Sequence, residues 1–233
     1  MVSPVIRLAV FDVAGTTVLD GDAVVDSMRS VLQRHGVAVD RQDVVDVMGW
    51  PKPVAIRHLL DTHGFWTPDA RGEAVGRIHD DFRTDIIARY RYGQGIAPAS
   101  GALEVFGALR RRGVKVALDT GFSRDILDVL LDRLGWRQDE TFDVTVASDE
   151  VEHGRPHPDL IQRAMERLGV REPAVVAKIG DTPSDMLQGR AARCGLVVGV
   201  TYGTHSRTQL EMPEVIVIDR LPDLLPLIWE GAL

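Results

Sequence analysis

Short runs of apolar, largely β-branched residues recur along the chain, and each closes on a polar residue or a glycine. The first, Ile6-Arg7-Leu8-Ala9-Val10-Phe11, ends in Asp12 and then Gly15. It reads as a buried strand of parallel type with a loop at its carboxyl end. Four more runs repeat the form: Val114 to Leu118, Phe142 to Val146, Ala174 to Ile179 and Leu196 to Val200. Between them the apolar spacing changes to three and four, at Ala102, Val105, Phe106 and Leu109, and at Ile126, Val129 and Leu130. Gly113 and Gly135 stop these two helical patterns. Strand and helix in alternation predict an α/β domain with a mainly parallel sheet.

Residues 20–95 break the alternation and show helical patterns only. Val24, Met28, Val31 and Leu32 run to Gly36; a short helix is expected from Val44 to Met48; Ile56, Leu59 and Leu60 run to Gly64. Thr67-Pro68 then opens a long helix through Val75, Ile78, Phe82 and Ile86, with proline at the first helical position after a capping hydroxyl. The chain returns through Gly93, Gly95 and Pro98, a connection suited to a hinge. The pattern therefore divides the chain into a body of residues 1–19 and 96–233 and a helical insertion of residues 20–95.

Composition narrows the function classes. In 233 residues, 45% hydrophobic content suffices for a conventional core. No apolar run approaches the roughly 20 residues of a membrane helix, and the amino-terminal apolar stretch holds an aspartate and ends in a glycine turn, unlike a signal peptide. The single cysteine, Cys194, has no internal partner, so a reducing cytoplasm is expected. A net charge of −7 argues against nucleic acid and leaves an anionic substrate to local dipoles, a metal or a few placed cations.

In open α/β sheets the reactive crevice lies at the carboxyl ends of the strands. The polar residues expected there are Asp12, Thr120-Gly121, Ser148-Asp149, and Asp181 with Asp185. A single aspartate after a strand ordinarily caps the helix that follows. Several converging on one sheet edge would repel one another unless a cation or proton sat among them. Carboxylates without nearby cysteine suit a hard divalent ion, and Mg²⁺ is the expected cofactor.

Asp12-Val13-Ala14-Gly15-Thr16-Thr17, Thr120-Gly121, Gly154-Arg155-Pro156 and Gly180-Asp181-Thr182-Pro183-Ser184-Asp185 resemble, in order and spacing, the four motifs of the haloacid dehalogenase superfamily. Most phosphatases of that superfamily carry a second aspartate two positions after the nucleophile. Here that position is Ala14. The substitution, with Gly15-Thr16-Thr17, Thr120-Gly121-Phe122-Ser123-Arg124 and arginine at 155, resembles the phosphonatase branch. Met48-Gly49-Trp50-Pro51-Lys52 is similar to the segment in which that branch carries a Schiff-base lysine after a Met-Gly pair. One departure stands out: the branch places a histidine three residues after its lysine, where this chain has Ala55, with His58 three further on. A lone lysine, like His58, His153 and His157, is ordinarily a solvated group. Trp50 is suited equally to a substrate lid and to a packing plug.

The resemblance implies a doubly wound, Rossmann-like core with a helical cap inserted after the first strand, and a homodimer through the cap helices. It implies an Mg²⁺-dependent hydrolase that cleaves the carbon–phosphorus bond of a small phosphonate aldehyde of phosphonoacetaldehyde type. Lys52 would form the imine and Asp12 the aspartyl phosphate. Thr120 and Arg155 would hold phosphoryl oxygens, with Thr16, Gly121, Met48 and Gly49 completing the substrate site. Asp12, the backbone carbonyl of Ala14, and Asp185 would hold the metal, with Asp181 orienting its waters. The rival reading is an Mg²⁺-dependent phosphomonoesterase acting on a small metabolite, for which Ala55 is natural and Lys52 a coincidence. A dehalogenase proper would leave Asp181 and Asp185 without a task, and a non-catalytic binding protein would leave nucleophile and metal positions unused.

Overall fold

The computed structural model describes residues 5–64 and 68–230. The chain enters through β1 (Leu8–Asp12) and a two-residue β2 (Val18–Leu19), then passes into four helices: α1 (Ala23–Arg34), α2 (Arg41–Asp46), α3 (Lys52–His63) and α4 (Pro68–Tyr92). It returns through β3 (Ala97–Pro98) to α5 (Ala102–Arg111), β4 (Lys115–Asp119), α6 (Arg124–Leu134), β5 (Val144–Val146) and α7 (Asp159–Leu168). The remainder is β6 (Val176–Gly180), α8 (Pro183–Ala191), β7 (Leu196–Val200), α9 (Arg207–Leu210), β8 (Ile216–Ile218) and α10 (Leu224–Glu230).

Six strands form one parallel sheet in the order β5-β4-β1-β6-β7-β8. From β1 the chain winds outward to β4 and β5, then returns to β6 on the other side of β1 and winds out again. The order therefore reverses between β1 and β6, which is where a doubly wound sheet opens a crevice at its carboxyl edge. Alternation along β1 supplies both faces. Ala9 and Phe11 join the apolar cluster that holds Phe106 and Trp136, whereas Leu8 and Val10 join Leu160, Ile161 and Met165 of α7. Phe11, Phe106 and Trp136 form a chain of edge-to-face contacts at 5.0 and 5.6 Å between centroids.

The described helices of the insertion follow the periodicity, with one difference. The short second helix begins earlier, at Arg41, because Asp40 and Asp43 form a reciprocal capping box, and it ends at Asp46 before Met48. The capping role expected of Thr67 lies outside the described residues. β3, within the expected hinge connection, pairs antiparallel with β2, so both crossings between sheet and helices run side by side. β8 has no counterpart among the expected strands. It is three residues long and partly exposed on the sheet edge, within the short apolar run Val215 to Ile218 that follows Pro213 and Glu214. Among the described residues no helix is long and apolar enough to cross a membrane.

Candidate active site

Two strands end in aspartates at the crevice: Asp12 closes β1 and Asp119 closes β4, directly opposite in register. Asp181 follows β6, and Asp185 lies in the first turn of α8. There a capping box fixes it: Thr182 Oγ1 donates to Asp185 Oδ2 (2.7 Å) and accepts from the Asp185 backbone N–H (3.3 Å), with Pro183 at the first helical position. The turn after Asp12 is equally constrained. Thr17 Oγ1 donates to the Asp12 carbonyl (2.9 Å), and Gly15 has φ +92°. A Cβ at Gly15 would meet Asp181 Oδ2 at 2.3 Å, so only glycine lets this loop approach that carboxylate. Asp181 accepts from Thr16 Oγ1 (3.1 Å) and from the Thr204 backbone (2.7 Å).

Two cations are threaded through these acids. Arg155, 3% exposed, reaches Asp12 Oδ1 (2.6 Å) and Asp185 Oδ1 (3.0 Å) with one nitrogen and the Asp119 carboxylate and carbonyl with the other. Lys178, fully buried on β6, lies between Asp119 and Asp185. Four buried carboxylates thus face two cations, and the surplus is negative. Burial above all, with repulsion from Asp185 and Asp181, pushes Asp12 up to about 8 against the pull of Arg155. Burial and Asp185 push Asp181 up to about 6. Burial opposes the charge of Asp185 as well, but Arg155 and Lys178 outweigh it and hold that carboxyl below its ordinary value.

One oxygen from each of Asp12, Asp181 and Asp185 lies within 4.8 Å of the others. All three are hard donors, and Asp185 Oδ1 has no aligned hydrogen bond although both cations stand near it. An all-oxygen donor set with a negative surplus suits a divalent cation such as Mg²⁺.

Above this cluster lies a cavity of about 20 Å³. Asp12, Ala14, Thr120, Gly121 and Arg155 line it from the sheet, and Met48, Gly49 and Lys52 from the helices. The segment ahead of α3 is seated closely on the sheet's loops. A Cβ at Gly49, where φ is +82°, would meet Thr182 Oγ1 at 2.4 Å, and one at Gly121 would meet the Trp50 carbonyl at 2.8 Å. Lys52 is the first residue of α3 and is 4% exposed, its Nζ 5.5 Å from the Phe122 ring centroid. Burial lowers its pKa to about 8; Asp12 and Asp20 pull upward and Arg155 pushes further down.

The other expected residues are placed elsewhere. Thr16 does not line the cavity; its hydroxyl is directed to Asp181. Asp149 stands outside the acidic cluster and accepts from the Arg124 backbone N–H at the start of α6, a helix that precedes it in the chain. His58 is exposed and packs edge-on against Trp50 at 5.4 Å, while His153 and His157 are exposed beside each other. Ala55 is buried. Sequence reasoning missed Asp119, Lys178, Thr182 and Phe122. The signal for Lys178 is a lone charge within the apolar run Ala174 to Ile179, which a buried strand tolerates only with a partner.

Comparison with known proteins meets this geometry. A family model of haloacid dehalogenase-like hydrolases matches residues 6–193. A Bacillus cereus protein named phosphonoacetaldehyde hydrolase is 31% identical over 208 residues, covering 85% of this chain and 77% of its own. A solved structure of a phosphonoacetaldehyde hydrolase-like protein from Oleispira antarctica superposes with a TM-score of 0.80 at 22% identity, covering 98% of this chain and 93% of the other. A hydrolase from Pseudomonas syringae superposes at 0.84 with 21% identity, covering 97% and 100%. The likeness of these two structures is one of fold. From the motif order, the doubly wound sheet and the 31% identical relative together, the chain belongs to the haloacid dehalogenase superfamily of hydrolases, in its phosphonatase-like branch.

Proposed function

We propose that this hydrolase cleaves the carbon–phosphorus bond of a small aldehyde phosphonate of phosphonoacetaldehyde type. The observation that carries the reading is the burial of Lys52 in one cavity with Asp12. A lysine with a pKa near 8 is about one-tenth neutral at pH 7, far more than a solvated lysine, and the neutral amine is the form that adds to an aldehyde.

Carbon is a poor leaving group from phosphorus unless its electron pair has somewhere to go. Lys52 Nζ adds to the aldehyde carbon, water leaves, and the protonated imine can accept that pair. Asp12 attacks phosphorus in line; the carbon–phosphorus bond breaks, and its electrons pass to the iminium to give an enamine. Protonation on carbon and hydrolysis then free Lys52 and an aldehyde, and water cleaves the aspartyl phosphate to release phosphate. Arg155 and Thr120 hold phosphoryl oxygens, with Gly121 beside them. Mg²⁺ held by Asp12, the Ala14 carbonyl and Asp185, with Asp181 behind them, would supply charge neutralisation at the phosphoryl oxygens.

Residues 1–19 and 96–233 act as the core and residues 20–95 as a cap that opens and closes on it. A cavity of about 20 Å³ holds little more than one water, so the cap opens to admit substrate and closes to exclude solvent. The lone Cys194, half-buried and with its thiol pushed up to about 12 by desolvation, suits a reducing cytoplasm. Ala55 favours the second reading, a phosphomonoesterase. Phosphate release from phosphonoacetaldehyde beside a panel of phosphomonoesters separates the two: the present reading expects strong preference for the former, and preference for an ester removes it.

A further inference from the structure

Asp119 has no part in the reaction outlined above, yet it is fully buried at the end of β4, in register with Asp12 on the neighbouring strand. Its Oδ1 accepts from both Arg155 Nη2 and Lys178 Nζ, while its Oδ2 has no hydrogen-bond partner among the described residues. An unpaired buried carboxylate oxygen is costly, and a carboxylate present only to balance charge would do better to face the guanidinium with both oxygens side by side. The contact is instead concentrated on one nitrogen. Arg155 Nη2 donates to the Asp119 carboxylate and also to the Asp119 carbonyl, at 2.9 Å.

Arg155 divides its partners by nitrogen. Nη2 is given to Asp119, whereas Nη1 lies 2.6 Å from Asp12 Oδ1 and 3.0 Å from Asp185 Oδ1, and Nε has no partner among the described residues. In the reading above two of these three acids have other work: Asp12 bonds to phosphorus, and Asp185 is a metal ligand. Asp119 stands outside the trio of carboxylates able to hold a cation, so its grip on Nη2 is the one that persists through the reaction. We propose that Asp119 is the positioning residue of Arg155, anchoring Nη2 so that Nη1 exchanges the Asp12 carboxylate for a phosphoryl oxygen while the guanidinium keeps its place. A rigid fork held at one prong makes that exchange with little loss of freedom. The inference rests on the reading of Arg155 as a holder of phosphoryl oxygens and is independent of which atom leaves phosphorus.

Vanadate, a mimic of the phosphoryl group, is the probe, with its affinity read by calorimetry at saturating Mg²⁺. Asp119→Asn takes a negative charge from a cluster already in negative surplus, so charge balance alone would tighten the binding of an anion. Lost positioning has the opposite sign and should weaken vanadate binding by about tenfold. Arg155→Lys should weaken it by about a hundredfold, because one amine nitrogen cannot hold Asp119 and a phosphoryl oxygen with separate atoms. Since Asp119 acts through Arg155, the double variant should bind vanadate within about twofold of Arg155→Lys alone. A crystal of the wild-type chain with vanadate needs no variant to fold: Nη2 should remain on Asp119 and Nη1 should face a vanadate oxygen. Unchanged or tighter binding by Asp119→Asn, additive losses in the double variant, or a vanadate complex in which Arg155 has left Asp119 would each overturn the proposal and leave the reading of Arg155 standing. Wild-type vanadate affinity in Arg155→Lys would remove that reading and the proposal with it.

Discussion

Asp12 carries a carboxylate where burial disfavours one, and its neighbours decide how it behaves. The Arg155 contact at 2.6 Å holds one oxygen, and in the proposed mechanism the carboxylate is both nucleophile and metal ligand, roles a neutral amide would fill poorly. Asp12→Asn should therefore lower turnover by about 10⁴-fold or more with little change in melting temperature, checked by phosphate release and thermal denaturation. Lys178 is the opposite case, a buried cation whose task is to balance Asp119 and Asp185. Lys178→Met leaves an uncompensated carboxylate and should destabilise by about 3–5 kcal/mol, read from the urea midpoint. Sequence alone marked Asp12, because it ends an apolar strand before a glycine turn. It did not mark Asp119, because nothing in Leu118-Asp119-Thr120 reveals that Arg155 and Lys178 arrive from 36 and 59 residues away.

At the level of elements, the strands flanking the crevice were legible because their apolar runs are continuous and end abruptly. β8 and the β2–β3 ribbon were not, because strands of two or three residues leave no period to detect. The four helices of the insertion were legible from their spacing, yet their docking onto the sheet was not. That docking depends on three backbone approaches, at Gly49, Gly121 and Gly154, where the missing Cβ is the whole signal. Gly49 is the most demanding, since it combines φ +82° with a Cβ position 2.4 Å from Thr182 Oγ1. Gly49→Ala should hold the segment before α3 off α8 and lower kcat/KM by about 10² through misplacement of Lys52, with helix content unchanged by circular dichroism.

Across the whole molecule, a protein of net charge −7 concentrates its most consequential negative charge in one buried cluster. Asp12 near 8 and Asp181 near 6 have carboxyls raised above their ordinary values, so between about pH 4 and pH 8 the folded chain binds more protons than the unfolded one. Stability from these groups is complete below that window and declines as pH rises through it; Asp185, shifted the other way, acts below it. The metal-free protein should melt at falling temperature from pH 5 to pH 8. Added Mg²⁺ should raise the melting temperature most at pH 8, where it need displace the fewest protons. Equal Mg²⁺ effects at both pH values would place the cation away from the cluster.

The proposed carbon–phosphorus cleavage depends on what Lys52 does in the cavity it shares with Asp12. Borohydride added while the protein turns over phosphonoacetaldehyde tests this most directly, with the digest read by mass spectrometry and Lys52→Arg run beside it. The expected result is inactivation, a reduced aldehyde adduct on the peptide containing Lys52, and no phosphate release by the arginine variant, which keeps the charge but forms no imine. Phosphate release by Lys52→Arg at the wild-type rate, with no adduct on the wild-type peptide, would contradict it.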